Sequence, residues 1–203
     1  MITPSQALQR LREGNDRFVA GHCVRNISEG YRQCAEPFQD RAPLAVVMGC
    51  SDSRVPLELI FDQDFGALFL VRVAGSIATS SQIGSIEFAV KRFGTPLIVV
   101  LGHSRCAAVA AAVEDTLSPS TAPSPHFEVI TGSIRPAVRE ARKSCPDDDP
   151  ERLVEATVEL SVRGTASRIR KESPVLKPLI HSGRLQVIGA KYGLETGAVE
   201  FYE

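Results

Sequence analysis

The residues best able to do chemistry lie in two short stretches. Cys50, Asp52 and Arg54 alternate in "CSDSRV", directly after the apolar run "LAVVMG". His103 and Cys106 stand in "GHSRC", directly after "LIVVL". Residues 44–49 and 96–102 read as strands, because short apolar runs suit strands buried on both faces. A thiol, a carboxylate and a guanidinium would then crowd the carboxyl end of one strand. An imidazole and a second thiol would crowd the end of another. In open α/β sheets, sites form in the crevice beyond those ends, so the two stretches can converge.

If a helix begins at once after His103, that side chain and Cys106 lie one turn apart on one face. Cys50, His103 and Cys106 would then surround one point. Two thiolates and an imidazole suit Zn2+, a borderline-soft ion that takes S and N ligands tetrahedrally. Three protein ligands leave one position for water, as catalytic sites do, whereas a fourth ligand usually closes a structural site. In extended backbone, side chains two apart share a face, which would set Asp52 and Arg54 beside Cys50. A guanidinium keeps a neighbouring carboxylate ionised and oriented. Asp52 would then accept a hydrogen bond from a zinc-bound hydroxide and aim it at an electrophile. Zinc lowers the pKa of its water, but two thiolates cancel its formal charge, so activity is expected at mildly alkaline pH. Taken singly, each feature has a plainer reading. A buried Cys is usually a small hydrophobe, and an Asp–Arg pair can simply pin a loop. Their joint placement beyond two apolar strands favours the catalytic reading.

The elements that must position these groups are legible in outline. Residues 67–73 and 185–190 read as further strands, and helical patterns separate the four. Residues 4–20 form an amphipathic pattern, and residues 22–42 are polar and irregular. "SQIGSIEFAVKRFG" reads as a helix ending at Gly94, and another helix starts within 105–114. "FEVITGSIRPAVREARKS" is helical, and "DPERLVEATVELSVRGTASRIRKES" opens with Asp149 as N-cap and Pro150 at the first helical position. Strands alternating with helices argue for an α/β fold around a mostly parallel four-stranded sheet flanked by helices. "LQVIGAKYGLETGAVEFYE" reads as strand, turn, strand and can add a C-terminal antiparallel edge. Ser118–His126 and "CPDDDP" read as loops. No repeat or linker divides the chain, so a single domain over 1–203 is expected, with a helical arm at 1–42 and the α/β core at 43–203.

The bulk numbers exclude other classes. The 203 residues are 43% hydrophobic and 23% charged, with a net charge of −1. That balance suits a globular chain with a sizeable core and argues against nucleic acid as a partner. No apolar run is long enough for a membrane span, and the N-terminus does not read as a signal peptide. The compartment expected is the cytoplasm, where thiols stay reduced. Five cysteines fit a disulfide framework poorly; Cys23, Cys34 and Cys145 are expected to take no chemical part. No G-x-G-x-x-G follows a strand, which argues against dinucleotide binding.

"CSDSRV" followed by "GHSRC" resembles the β-class carbonic anhydrases of the bacterial branch. "ALQRLREGNDRFVAG", "ELIFDQDFGALFLVRVAG", "GSIEFAV" and "LIHSGRLQVIGAKYGLETGAVEF" extend the resemblance over nearly the whole chain. The resemblance implies zinc on Cys50, His103 and Cys106, with Asp52–Arg54 as the orienting dyad. It implies reversible hydration of carbon dioxide to bicarbonate and a proton. It implies a homodimer, with pairing into a homotetramer allowed, an N-terminal helix that embraces the partner, and a cleft at the dimer interface. It also allows a closed form in which Asp52 becomes a fourth zinc ligand. Phe69, Ala74 and Phe88 match substrate-pocket positions. Arg41 stands where many relatives carry a bicarbonate-binding Gln. Ser76 replaces Asn, Phe88 replaces Tyr, and Ala107 replaces Gly. The noncatalytic bicarbonate pocket of some members uses a tryptophan, and this chain has none. His22, His126 and His181 are candidate proton shuttles. Two other readings stand beside hydration: hydrolysis of carbonyl sulfide or carbon disulfide on the same zinc, and a zinc or bicarbonate scaffold without turnover.

Overall fold

The structure is a computed structural model that describes residues 2–24, 42–118, 124–145 and 149–202. The elements run α1 (Pro4–Val19), β1 (Ala45–Gly49), α2 (Leu57–Ile60), β2 (Leu68–Arg72), a 3-10 turn (Ala74–Ser76), α3 (Ser80–Phe93) and β3 (Leu97–His103). They continue α4 (Ala107–Leu117), α5 (Pro125–Ala141), α6 (Pro150–Glu172), α7 (Lys177–His181), β4 (Gln186–Tyr192) and β5 (Val199–Tyr202). The five strands form one sheet in the order β2-β1-β3-β4-β5. The first four are parallel, and β5 closes the edge antiparallel to β4.

Strand residues alternate between two cores, as a pleated strand requires. Val47, Val99, Leu101 and Ile188 pack on the side that holds α1 and α2. Val46, Met48, Ile98, Val100 and Val187 pack on the side of α3, α6 and α7. A third apolar group gathers α4, α5 and α6 around Ile77, Ile134 and Leu153, and it takes in Cys50 and Cys106. β1 and β3 are buried at every residue. That is why they read as unbroken apolar runs.

Local signals explain the helix starts. Thr3 and Gln6 make a reciprocal capping box before α1. Asp149 Oδ1 accepts the N–H of Glu151 at 3.0 Å at the head of α6, the cap expected there. α1 turns Ala7, Leu8 and Leu11 onto its own chain. Its buried Asn15 donates to the carbonyls of Ile60 (3.1 Å) and Gly197 (2.8 Å) and accepts the Val199 N–H (2.8 Å). One amide thus ties α1 to α2 and to the last hairpin.

Two expectations need correction. The stretch Ser118–His126 is not loop to its end. Ser124 Oγ accepts the Phe127 N–H, and Pro125 and His126 already belong to α5. The short helices α2 and α7 and the 3-10 turn carry too few residues to show a period, and the sequence reading missed them. Residues 119–123 and 146–148 of the two expected loops lie outside the described residues.

α6 lies unusually close on the sheet. A Cβ on Gly102 would stand 2.6 Å from Val162 Cγ2, and one on Gly189 2.7 Å from Val162 Cγ1. Glycine on both strands lets the helix backbone settle there.

Candidate metal centre

β1 and β3 are neighbours, with Gly49 opposite Leu101. Cys50 follows the end of β1, and His103 is the last residue of β3. The chain then turns sharply. Arg105 has φ +53°, in the left-handed region, and Cys106 is the extended N-cap of α4. The helix therefore does not begin at once, as the one-turn argument required. A tight turn, not a helical face, carries Cys106 back toward His103.

The result is still convergence. The ligand atoms of Cys50, His103 and Cys106 all lie within 4.8 Å of one another, and all three residues are buried. His103 Nδ1 is 2.9 Å from the Ser104 carbonyl. A carbonyl only accepts, so Nδ1 carries the proton and Nε2 presents a lone pair. That Nε2 is buried with no hydrogen-bond partner among the described residues. Buried polar atoms without partners are costly, and a cation at this point would satisfy it. Zn–S and Zn–N bonds of about 2.3 and 2.0 Å place tetrahedral ligand atoms roughly 3.5–3.8 Å apart, which suits this spacing. The donor set fits zinc.

The thiols make the same case. Cys106 beside it lowers the pKa of Cys50, and the N–H groups of Asp52 and Gly75 add to this against the effect of burial. The same pairing, then burial and the Cys50 charge, push Cys106 up. A divalent cation would let both ionise.

Asp52 and Arg54 also meet, by a different route from the one expected. They do not share the face of an extended strand. The chain turns, with Val55 N–H on the Asp52 carbonyl at 3.1 Å. Asp52 Oδ1 accepts the Arg54 N–H (2.9 Å) and Nε–H (3.0 Å), and Oδ2 accepts Nη2–H (2.7 Å). The Arg54 side chain holds the Asp52 carboxyl far below the usual carboxylate range, against some burial. Oδ2 lies 3.9 Å from His103 Nε2.

Sequence profiles and folds of known proteins agree with this geometry. The profile of the family described as Carbonic anhydrase matches residues 45–199. Carbonic anhydrase 2 of Mycobacterium tuberculosis is 36% identical over 197 residues, covering 96% of this chain and 90% of its own. The chain belongs to the β-class carbonic anhydrases. Carbonic anhydrase of Mycolicibacterium smegmatis is 35% identical over 201 residues, covering 97% and 92% of the two chains. Among solved structures, the β-carbonic anhydrase CcaA superposes with a TM-score of 0.73 at 26% identity, over 97% of this chain and 87% of that one. CafA of Aspergillus fumigatus also gives 0.73, at 25% identity, over 98% and 90%. This chain is therefore a carbonic anhydrase by family, with a buried Cys–His–Cys group that can hold a metal.

The remaining candidates divide. Ala74 is half-buried beside Gly75, whose N–H donates to Cys50 Sγ at 3.4 Å. Phe69 is paired with Val46, four residues before Cys50, about 13 Å away along the strand. Its ring lies against Phe88 and Phe93, and Phe88 is 57% exposed. Ser76 has φ +51° and donates its Oγ–H to the Leu101 carbonyl at 2.8 Å. Arg41 lies outside the described residues. His22, His126 and His181 are exposed, and His181 precedes β4, at the end of the sheet remote from the thiols.

The sequence reading overlooked several positioning groups. Arg72 donates Nε–H to the Cys50 carbonyl (2.9 Å) and Nη2–H to the Asp52 carbonyl (2.7 Å). Ser104, Glu155 and Glu195 surround the turn at Arg105. Arg72 was discoverable as a charge in an otherwise apolar strand. The two glutamates carried no local signal.

Proposed function

We propose that this carbonic anhydrase hydrates carbon dioxide reversibly, giving bicarbonate and a proton, at Zn2+ held by Cys50, His103 and Cys106. The observation that carries the reading is the buried, unpartnered His103 Nε2 between two thiols, next to a carboxylate clamped by Arg54. When bound, zinc supplies a water ligand acidic enough to act as nucleophile near neutral pH.

The chain's own residues orient that attack. Asp52 Oδ1 is filled by two Arg54 donors, whereas Oδ2 has one and faces the metal group. An ionised carboxylate is acceptor-only, so Oδ2 would orient a nucleophile at this point by accepting its hydrogen, which would leave the oxygen lone pair free for the carbon of the substrate. A carboxyl held far below the usual range is a poor proton acceptor, so Asp52 orients and the product proton leaves to solvent by another route. Arg72 supports this by fixing the backbone on both sides of Ser51. Three Arg54 donors on Asp52 favour an open fourth position. A closed site with Asp52 as ligand would first have to break them, which weighs against the scaffold reading.

The same reading includes a homodimer. β2 is an edge strand among the described residues, and exposed Phe88 packs against Phe69 and Phe93 beside it. Such an apolar edge suits a second copy, whose cleft Phe69 and Phe88 would line. The solved Sordaria macrospora β-carbonic anhydrases are described as tetrameric. The four described cysteines are free, which suits a cytoplasmic setting. No helix among the described residues is long and apolar enough to cross a membrane. Residues 1–203 are read as one unit, with 1–42 as its helical arm.

The test is stopped-flow carbon dioxide hydration by zinc-loaded protein from pH 6.5 to 9, beside Asp52→Ala. Wild type should turn over, and the variant should lose about a hundredfold, the scale of a misplaced reacting group. An inactive wild type with zinc bound would overturn the activity. An equally fast variant would overturn the role of the dyad.

A further inference from the structure

The geometry points to Glu155 as a positioning residue for His103, acting through the Ser104–Arg105 peptide group. The inference rests on His103 being a metal ligand, and deepens that reading.

Both ends of this one peptide unit are engaged. Its carbonyl, on Ser104, accepts the His103 Nδ1–H at 2.9 Å. Its N–H, on Arg105, donates to Glu155 Oε1 at 3.1 Å. The two bonds run in series: carboxylate, peptide, imidazole. Hydrogen bonds in series polarise one another, so the carboxylate makes the Ser104 carbonyl a better acceptor for the imidazole N–H. Metal-bound histidines usually send their second N–H to a carboxylate or a carbonyl, which fixes the tautomer and the ring plane. Here a carbonyl receives it, and a carboxylate stands one peptide further back.

The same bond holds a disfavoured backbone. Arg105 has no glycine's freedom, yet it sits at φ +53°. Were its peptide to rotate, the carbonyl that orients His103 would swing away, and Cys106 would move with the turn. Glu155 itself is fixed from two sides. Its Oε2 is paired with Lys191 Nζ at 2.6 Å on β4. Val158 and Val162, on the same helical face, press on the sheet at Gly102 and Gly189. Glu195 makes a different contact. It accepts from Ser104 Oγ (3.0 Å) and pairs with Arg105 Nε (2.8 Å), so it grips side chains and leaves the peptide untouched.

The experiment compares zinc affinity, by chelator competition on reduced protein, for wild type and four variants. Glu155→Ala should weaken zinc about tenfold or more, the scale for partners behind a ligand. Glu155→Asp keeps a charge near Lys191 but withdraws it from the Arg105 N–H, and should weaken zinc likewise. Glu155→Gln still offers an oxygen to that N–H and should bind zinc about as tightly as wild type. Lys191→Met removes the ion pair but not the peptide bond, and should match wild type. In the zinc-free proteins, nitrogen-15 spectra of the imidazole should show His103 Nδ1-protonated in wild type and mixed in Glu155→Ala. Equal affinity of wild type and Glu155→Ala would overturn the inference alone. So would a loss in Lys191→Met as large as in Glu155→Ala, or a failure of Glu155→Gln to rescue. A wild type that takes up no zinc would overturn the metal centre and this inference with it.

Discussion

Gly102→Ala is the perturbation that tests most directly how the sheet holds the site. The added methyl would lie 2.6 Å from Val162 Cγ2 and 3.0 Å from Val158 Cγ1. Carbon atoms in contact normally sit about 3.5–4.0 Å apart. Val162 cannot relieve the clash by rotating. Its χ1 is stiff, and its other methyl already occupies the hollow over Gly189. α6 must therefore retreat by about 1 Å. Overpacking of this kind costs about 1–3 kcal/mol. In a chain of this size each kcal/mol moves Tm by about 2–4 °C, so a loss near 2 kcal/mol lowers Tm by about 4–8 °C. Gly164→Ala is the control on the same helix. Nothing lies within 4 Å of its Cβ position, and the residue is exposed, so alanine should stabilise by about 0.5–1 kcal/mol. Calorimetry on the zinc-loaded proteins reads both. A Gly102→Ala variant that melts within a degree of wild type would refute the claim that α6 is pinned by close approach.

Two further outcomes are expected. Asn15→Ala strips partners from three backbone groups; at about 1 kcal/mol each, urea denaturation should show a loss of about 3 kcal/mol, and a loss under 1 kcal/mol would mean that water replaces the amide. Asp52 has a folded-state pKa below its unfolded value of about 3.9, so its contribution is complete above that value and is lost as pH falls through the folded one. The stability difference between wild type and Asp52→Asn should therefore be flat from pH 8 to 6 and shrink only below about pH 4; a decline already between pH 8 and 6 would contradict the depressed carboxyl.

The strands were legible because burial on both faces writes an unbroken apolar run, and β1 and β3 are buried throughout. Their ends shifted by at most two residues. The three candidate ligands were legible because each follows such a run. How they come together was not. A helix from His103 to Cys106 and extended backbone from Asp52 to Arg54 would each have brought the side chains together. Neither forms, because each segment turns instead. Arg105 at φ +53° lacks the Gly or Asn that would announce a left-handed residue. Asp52 accepting the N–H two residues on is an Asx-type turn, and "SDSR" did carry that signal. The head of α5 was misread as loop from its Ser/Pro-rich composition, although Ser124 followed by Pro125 carries a helix-start signal.

What no local pattern could supply is the support behind the ligands. Glu155 and Glu195 reach the turn from α6 and from the segment before β5. Each is an ordinary charged residue on a polar stretch, and only the path of the backbone gives it a role. That path depends on small residues elsewhere: Gly102 lets α6 descend, and α6 then delivers Glu155 to the peptide beside His103. Neighbouring parallel strands lie about 4.8 Å apart, so the ends of β1 and β3 bring two ligands to metal-binding spacing without further design. The third candidate ligand is the demanding one. Cys106 must return within 4.8 Å of the others through a backbone conformation its sequence disfavours, and two carboxylates, Glu155 and Glu195, hold the turn around Arg105 that does this.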